Sequence, residues 1–391
     1  MPHWVPSSWS AFSAQQQPVY AEKSQLVRVL TQIRQSQPLV SVAAIEALRV
    51  AIAEAAAGER FLLQGGDCAE RFQDCTVSEV QTKLGILSQL AVVLNTVTKK
   101  PVLTIGRIAG QYAKPRSLDT EQQAGMLPIP SFRGDNVNRR SLSWKARQAD
   151  PRRLWVGHQC AAITHQHLRT LCTSPFYTSH EGLLLPYEEA VTYEVPAYGR
   201  YYNLGAHFLW IGDRTRQLTG AHVEFFRGIA NPIGIKLGPS VSPAELAQLL
   251  DILNPHRQQG RITLITRLGA HNVPTLLPSL IHAVQDADHP VLWVCDPMHG
   301  NGFIAETGYK TRDFTTICAD LDRTDAVHRI CGSRLGGLHI EVTGNAVTEC
   351  IGGPEGIRLC DVPHNYQTYC DPRLNAVQSL ALVSQLTSLS L

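Results

Sequence analysis

The sequence has no excess of charge of either sign: 35 Lys and Arg stand against 33 Asp and Glu, a formal net charge of +2, with no long basic run. That near-neutrality argues against nucleic acid or an anionic membrane as the main partner. No apolar stretch approaches the ~20 residues that cross a bilayer. The tetrapeptide Met1-Pro2-His3-Trp4 lacks the basic-then-apolar order of a secretory leader, so a cytoplasmic location is expected. The ten cysteines form no C-x-x-C pair and are scattered between Cys68 and Cys370. They read as mostly buried thiols in a reducing compartment, not as a disulfide framework. Solenoid repeats and low-complexity linkers are also missing. What remains is a 391-residue chain, 44% hydrophobic, able to build a large core.

From residue 61 onward a short apolar run, a glycine or polar turn and a helical stretch alternate. In the clearest unit, Ile233–Leu237 reads as a buried strand that ends at Gly238-Pro239. Ser242-Pro243-Ala244-Glu245 then opens a helix with a capping box and proline in its first turn, and Asn254-Pro255 closes it before a strand over Ile262–Thr266. Strand, helix, strand with short joins gives a parallel, right-handed unit. Further strands are predicted at Phe61–Gln64, Val102–Gly106, Leu183–Tyr187, His207–Ile211, Val291–Cys295 and Leu338–Val342, eight in all. The run at Leu154 continues at helical spacing and is read as a helix over about 154–172. Setting aside 1–58 and 113–182 leaves close to the ~250 residues of a plain (β/α)8 TIM barrel. A doubly wound open sheet is the competing arrangement. Residues 1–58 carry Trp4, Trp9, a glutamine run and an Ala-rich helix over about 42–57. They read as an N-terminal extension that packs on the 59–391 barrel or on a partner subunit, or else as a partly ordered tail.

In such a barrel all strand C-termini open on one mouth. Their exits carry Asp67, Cys68 and Glu70 after the first strand, Arg107 and Lys114-Pro115-Arg116-Ser117 after the second, and Asp213-Arg214 after the fourth. Lys236, Arg267 and His299 follow at successive exits, and Glu341 lies in the last strand. Singly, each has a structural reading: a buried small thiol, a solvated arginine, an outward-facing glutamate. Their shared placement is what points to a site.

The blocks FLLQGGDCAERF (61–72), GRIAGQYAKPRS (106–117), WIGDRTRQLTGAH (210–222), KLGP (236–239), CDPMHGN (295–301), GGLHIEVTGNAVTEC (336–350) and CDPRLN (370–375) resemble the type II 3-deoxy-D-arabino-heptulosonate-7-phosphate (DAHP) synthases, in order from about 59 to 385. The resemblance implies a (β/α)8 barrel enzyme of the shikimate pathway. It would condense phosphoenolpyruvate with erythrose 4-phosphate and release phosphate. It implies a divalent metal on Cys68, His299, Glu341 and Asp371. One thiolate, one imidazole and two carboxylates suit Mn²⁺ or Co²⁺, with Fe²⁺ or Zn²⁺ also compatible. It implies phosphoenolpyruvate on Arg107, Asp213, Arg214, Lys236 and Arg267, and erythrose 4-phosphate on Lys114, Arg116 and Ser117. The two substrates bring about five negative charges, which fixed cations must offset once water is excluded. Lys236 and Glu341 are the expected catalytic groups, for electrostatic stabilisation and proton transfer.

Two features depart from the longer members of that family. Asp213 stands where they usually carry glutamate. The chain passes from the helix near 154–172 almost directly to Ser179-His180-Glu181, without the inserted helical pair that builds their feedback sites. Feedback by tryptophan, phenylalanine or tyrosine is therefore expected to be weak or absent, as in the similar short members that feed phenazine synthesis. Cys370 precedes Asp371, so a Cys68–Cys370 disulfide is expected to be possible when metal is absent. A homodimer or higher oligomer is anticipated, and a chorismate mutase partner leaves no mark in the sequence. Another metal-dependent enolpyruvate aldolase or lyase, and a non-catalytic regulatory paralogue, are the rival readings; against the second, no ligand or phosphate-binding cation is lost.

Overall fold

The computed structural model describes residues 4–122 and 127–388; the Met1–His3 part of the leader reading lies outside them. Eight parallel strands close a barrel: β1 (Phe61–Gly66), β2 (Val102–Arg107), β3 (Tyr177–Glu181), β4 (Phe208–Ile211), β5 (Ile233–Leu237), β6 (Ile262–Thr266), β7 (Val291–Cys295) and β8 (Leu335–Glu341). Helices lie between successive strands, as a (β/α)8 barrel requires. Ser242 accepts a hydrogen bond from Glu245 N at 3.1 Å, opening the helix Pro243–Leu253 as its sequence predicts.

One strand is not where the apolar pattern put it. The expected third strand, Leu183–Tyr187, is instead a turn and the start of the helix Leu185–Ala190, with Pro186 in its first turn. The true β3 is the more polar Tyr177-Thr178-Ser179-His180-Glu181, buried along most of its length. Its polar side chains are satisfied inside: Ser179 Oγ accepts from Gln64 and donates to Gly106 O, and His180 pairs with Glu188. A strand lining the polar upper barrel loses the apolar signature by which strands are recognised.

Closure fixes the level of the site. β1 pairs with β8 on one side and β2 on the other, so Gly66 lies opposite both Glu341 and Arg107. Gly66 has φ +142, and a Cβ there would sit 2.8 Å from Arg107 O, so the approach requires glycine. Below this level the interior is apolar, with Leu62, Leu103, Ile105, Phe208, Trp210, Ile265, Leu292 and Val294 packed together. Leu48, Ala51, Ile52 and Ala55 of the helix Val42–Ala57 join that cluster from the N-terminal end of the strands. This helix is the barrel floor. The helix Lys23–Arg34 packs on the helices Arg152–Leu171 and Leu185–Ala190.

Candidate active site

The four residues expected to hold metal come from four separate stretches and meet at the barrel mouth. Cys68 follows β1, His299 follows β7, Glu341 ends β8 and Asp371 precedes the C-terminal helix Ala376–Ser384. Cys68 Sγ lies 3.3 Å from Asp371 Oδ2 although 303 residues separate them. His299 Nε2 is 3.0 Å from Glu341 Oε1 and 3.9 Å from Asp371 Oδ2. Cys68, Glu341 and Asp371 place donor atoms within 4.8 Å of one another.

Two observations test whether a cation fits. His299 Nδ1 is 2.7 Å from Asp296 Oδ2, so it donates there and Nε2 presents its lone pair. Burial keeps this imidazole neutral despite Asp296 and Glu341. A lone pair and a carboxylate oxygen facing each other at 3.0 Å call for positive charge between or beside them. A cation is in fact there: Lys114 Nζ lies 2.7 Å from Cys68 Sγ, 2.7 Å from Asp371 Oδ2, 3.4 Å from His299 Nε2 and 3.6 Å from Glu341 Oε1. The quartet is thus a cation cage, and its mixed donors fit a transition-metal dication.

The charges around the cage are set by neighbours the sequence reading missed. Arg312, on a hairpin strand (Lys310–Arg312) after β7, is buried, reaches Glu341 Oε2 at 2.8 Å and donates to Pro372 O. Lys310 pairs with the other Asp371 oxygen. Burial pushes both carboxyl pKa values up, and Glu341 raises that of Asp371 further, but Lys114 and Arg312, joined at Asp371 by Lys310, outweigh this and hold both groups well below the usual carboxylate range. Burial pushes the Cys68 thiol up, helped by the facing Cys370 thiol, Asp371 and Glu341. Both cysteines are free, as are the other eight.

Beside the cage lies a cationic cradle. Arg107 stacks over Trp210 at 5.2 Å and donates to Asp67 O and Cys68 O, each at 2.9 Å, with Glu341 Oε1 at 3.2 Å. Lys236, inside β5, pairs with the fully buried Asp296; burial lowers its pKa to about 8, which Asp296 only partly opposes. Arg267 reaches Asp213 Oδ2 at 2.9 Å and His299 O at 3.1 Å. Asp213 also accepts from Gly238 N and Arg216, so its carboxylate is taken up in orienting Arg267 and the β5 exit. Arg214 is exposed and donates to Ser117 Oγ at 2.6 Å, joining the second and fourth exits. Arg116 is half-buried beside Glu121.

Glu181, at the end of β3, was hidden by the displaced strand. Its buried carboxyl has a raised pKa because burial outweighs the nearby Lys114, Lys236, Arg107 and Arg214, and Oε1 makes no hydrogen bond. It faces the cradle from the side opposite Asp296. Asp296 itself, in the quoted CDPMHGN block, links Lys236 to His299; only the fold shows that one carboxylate serves both.

A barrel mouth pairing a cation cage with fixed guanidinium groups defines an enzyme class that handles phosphorylated anions with a divalent ion. The comparisons narrow the class. The class-II DAHP synthetase family model matches residues 4–176 and 170–387. The phospho-2-dehydro-3-deoxyheptonate aldolase of Neurospora crassa is 40% identical over 97% of this chain and 93% of its own length. That of Streptomyces coelicolor is 38% identical over 96% and 95%, and that of Mycolicibacterium smegmatis 39% over 91% and 88%. The chain belongs to the class-II DAHP synthetase family.

Proposed function

We propose that this protein is a DAHP synthase that condenses phosphoenolpyruvate with erythrose 4-phosphate and water, giving DAHP and phosphate. The observation that carries the reading is the meeting of Cys68, His299, Glu341 and Asp371 around one cationic point beside Arg107, Lys236 and Arg267. Those four residues would hold a divalent ion, Mn²⁺ or Co²⁺ before Fe²⁺ or Zn²⁺, and such an ion polarises an aldehyde oxygen when bound. Arg107, Lys236, Arg267 and Arg214 receive the carboxylate and phosphate of phosphoenolpyruvate, with Asp213 orienting Arg267. Lys114, Arg116 and Ser117 receive the sugar phosphate; Lys114, which now lies among the four ligands, would face the sugar phosphate in the metal-loaded protein. Carbon 3 of phosphoenolpyruvate attacks the aldehyde, whose oxygen takes up a proton to become a hydroxyl; water adds at carbon 2 and gives up a proton, and the C–O bond to phosphate then breaks, leaving the ketone and inorganic phosphate. Lys236 stabilises the charge that builds on the phosphate side, and Glu341 serves proton transfer.

Absence of aromatic feedback belongs to the same proposal. The alignment with the Neurospora relative runs over 450 positions against 391 residues here, so the relative carries segments this chain lacks. The family model also matches in two pieces that overlap at 170–176, around the end of the helix Arg152–Leu171. A short enzyme without those segments suits steady supply to a secondary route such as phenazine synthesis, in a homodimer or higher oligomer. The facing thiols of Cys68 and Cys370 support an oxidisable pair once the ion is removed.

The test is phosphate release from phosphoenolpyruvate, with and without erythrose 4-phosphate and Mn²⁺. Release that needs both additions and stops on chelation is expected. Turnover unchanged by chelation, or release without the sugar, would end the proposal.

A further inference from the structure

The glutamine run Gln15–Gln17 has no part in the chemistry above, yet it reaches the sugar-phosphate side of the mouth. The segment ahead of the first long helix is pinned along the third and fourth strand exits. Trp4 Nε1 donates to Glu224 O and Trp9 Nε1 to Glu189 Oε2, both at 2.9 Å, and Ala221 N donates to Ser13 O at 3.0 Å. Gln17 closes the run, donating to Leu183 O at 2.7 Å and accepting from Leu185 N at 3.1 Å. Between Ser13 and Gln17, residue Gln16 is held at φ +62, a conformation uncommon outside glycine. This backbone turns its side chain toward the second exit, where Oε1 accepts from Arg116 N at 2.8 Å and from Arg133 Nη1 at 3.3 Å.

Those bonds fall where the loop most needs them. In the run Lys114-Pro115-Arg116-Ser117, Lys114 N donates to Arg133 O at 3.0 Å and Pro115 has no N–H. The next backbone donor is Arg116 N, and Gln16 supplies its acceptor. Gln16 therefore ties Arg116 and Arg133, the two rungs of the loop, to a segment anchored on the other side of the mouth. The Ser117 hydroxyl one residue on meets Arg214 from the fourth exit.

We infer that Gln16 is a positioning residue for erythrose 4-phosphate: its side-chain oxygen holds the Lys114–Ser117 run in the form that receives the sugar phosphate. The inference rests on the assignment of that run to erythrose 4-phosphate. Gln16 bonds the erythrose 4-phosphate loop directly and reaches the phosphoenolpyruvate cradle only through the exposed Ser117–Arg214 contact, so its effect should fall chiefly on erythrose 4-phosphate.

The experiment is steady-state kinetics of the Mn²⁺-loaded full chain. Gln16→Ala should raise KM for erythrose 4-phosphate about tenfold, a loss of about 1.4 kcal/mol in the ordering of the loop that receives it. kcat and KM for phosphoenolpyruvate should stay within about twofold. Gln16→Glu keeps the accepting oxygen but sets a negative charge beside Arg116 and Arg133, so it should recover only part of the loss in KM. Gln16→Gly relieves the backbone and should melt no lower than wild type while keeping the KM defect, which separates positioning from folding. Arg116→Ala tests the underlying assignment. If it leaves KM for erythrose 4-phosphate unchanged, the site reading falls and the inference with it. If Arg116→Ala raises that KM while Gln16→Ala does not, or if Gln16→Ala raises both substrate KM values alike, the role of Gln16 is refuted and the site reading stands.

Discussion

Asp296→Asn probes the junction between the two halves of the site. The wild-type carboxylate is fully buried, pairs with Lys236 and fixes the His299 ring through a 2.7 Å contact with Nδ1. Removing its charge leaves Lys236 two courses. Remaining a buried ammonium without its partner costs about 3–5 kcal/mol. Releasing the proton is cheaper: with a pKa of about 8 already, it costs about 1.4 kcal/mol at pH 7. Deprotonation wins, so the variant should fold with only modest loss of stability but carry a neutral amine in the cradle. Phosphoenolpyruvate then loses a charge-assisted contact of about 1.5–3 kcal/mol, a rise in KM of about ten- to 150-fold. His299 loses the partner that sets its tautomer, and Mn²⁺ affinity should fall about 10–100-fold. Steady-state KM at pH 7, calorimetric Mn²⁺ titration and urea denaturation read the three effects. A variant with KM for phosphoenolpyruvate within threefold of wild type and unchanged Mn²⁺ affinity would refute the reasoning.

Three further outcomes are expected. The kcat/KM for phosphoenolpyruvate, which reports the free enzyme, should fall as pH rises through about 8, because Lys236 is charged below that value and neutral above it; a profile still climbing at high pH contradicts this. Arg312→Met strips Glu341 of a buried partner at 2.8 Å and should cost about 3–5 kcal/mol by urea denaturation, with weaker Mn²⁺ binding; a variant as stable as wild type would show that the pair is dispensable. Millimolar tryptophan, phenylalanine or tyrosine should leave turnover unchanged in the phosphate-release assay, and a severalfold drop would reveal a feedback site outside the missing segments.

Local chemistry made much of the fold legible. Buried apolar runs bounded by glycine and proline marked seven of the eight barrel strands, with Ser242 and Pro243 marking a helix start, because burial pattern and capping act over a few residues. The third strand escaped because Ser179, His180 and Glu181 line a polar part of the barrel, where inward residues are satisfied by hydrogen bonds instead of apolar packing. Candidate site residues could be named from their strand exits and family blocks. Their partners could not.

The sequence by itself determined the alternation of strand and helix, and the residue types gathered at the strand exits. The tertiary structure alone decided that Cys68 and Asp371 touch, that Asp296 bridges Lys236 and His299, and that Arg312 braces Glu341. It also decided that Gln16 reaches across to Arg116. The reason is physical: local propensity depends on near neighbours, whereas the direction and charge of a side chain at the barrel mouth depend on closure of all eight strands and on loops distant in sequence.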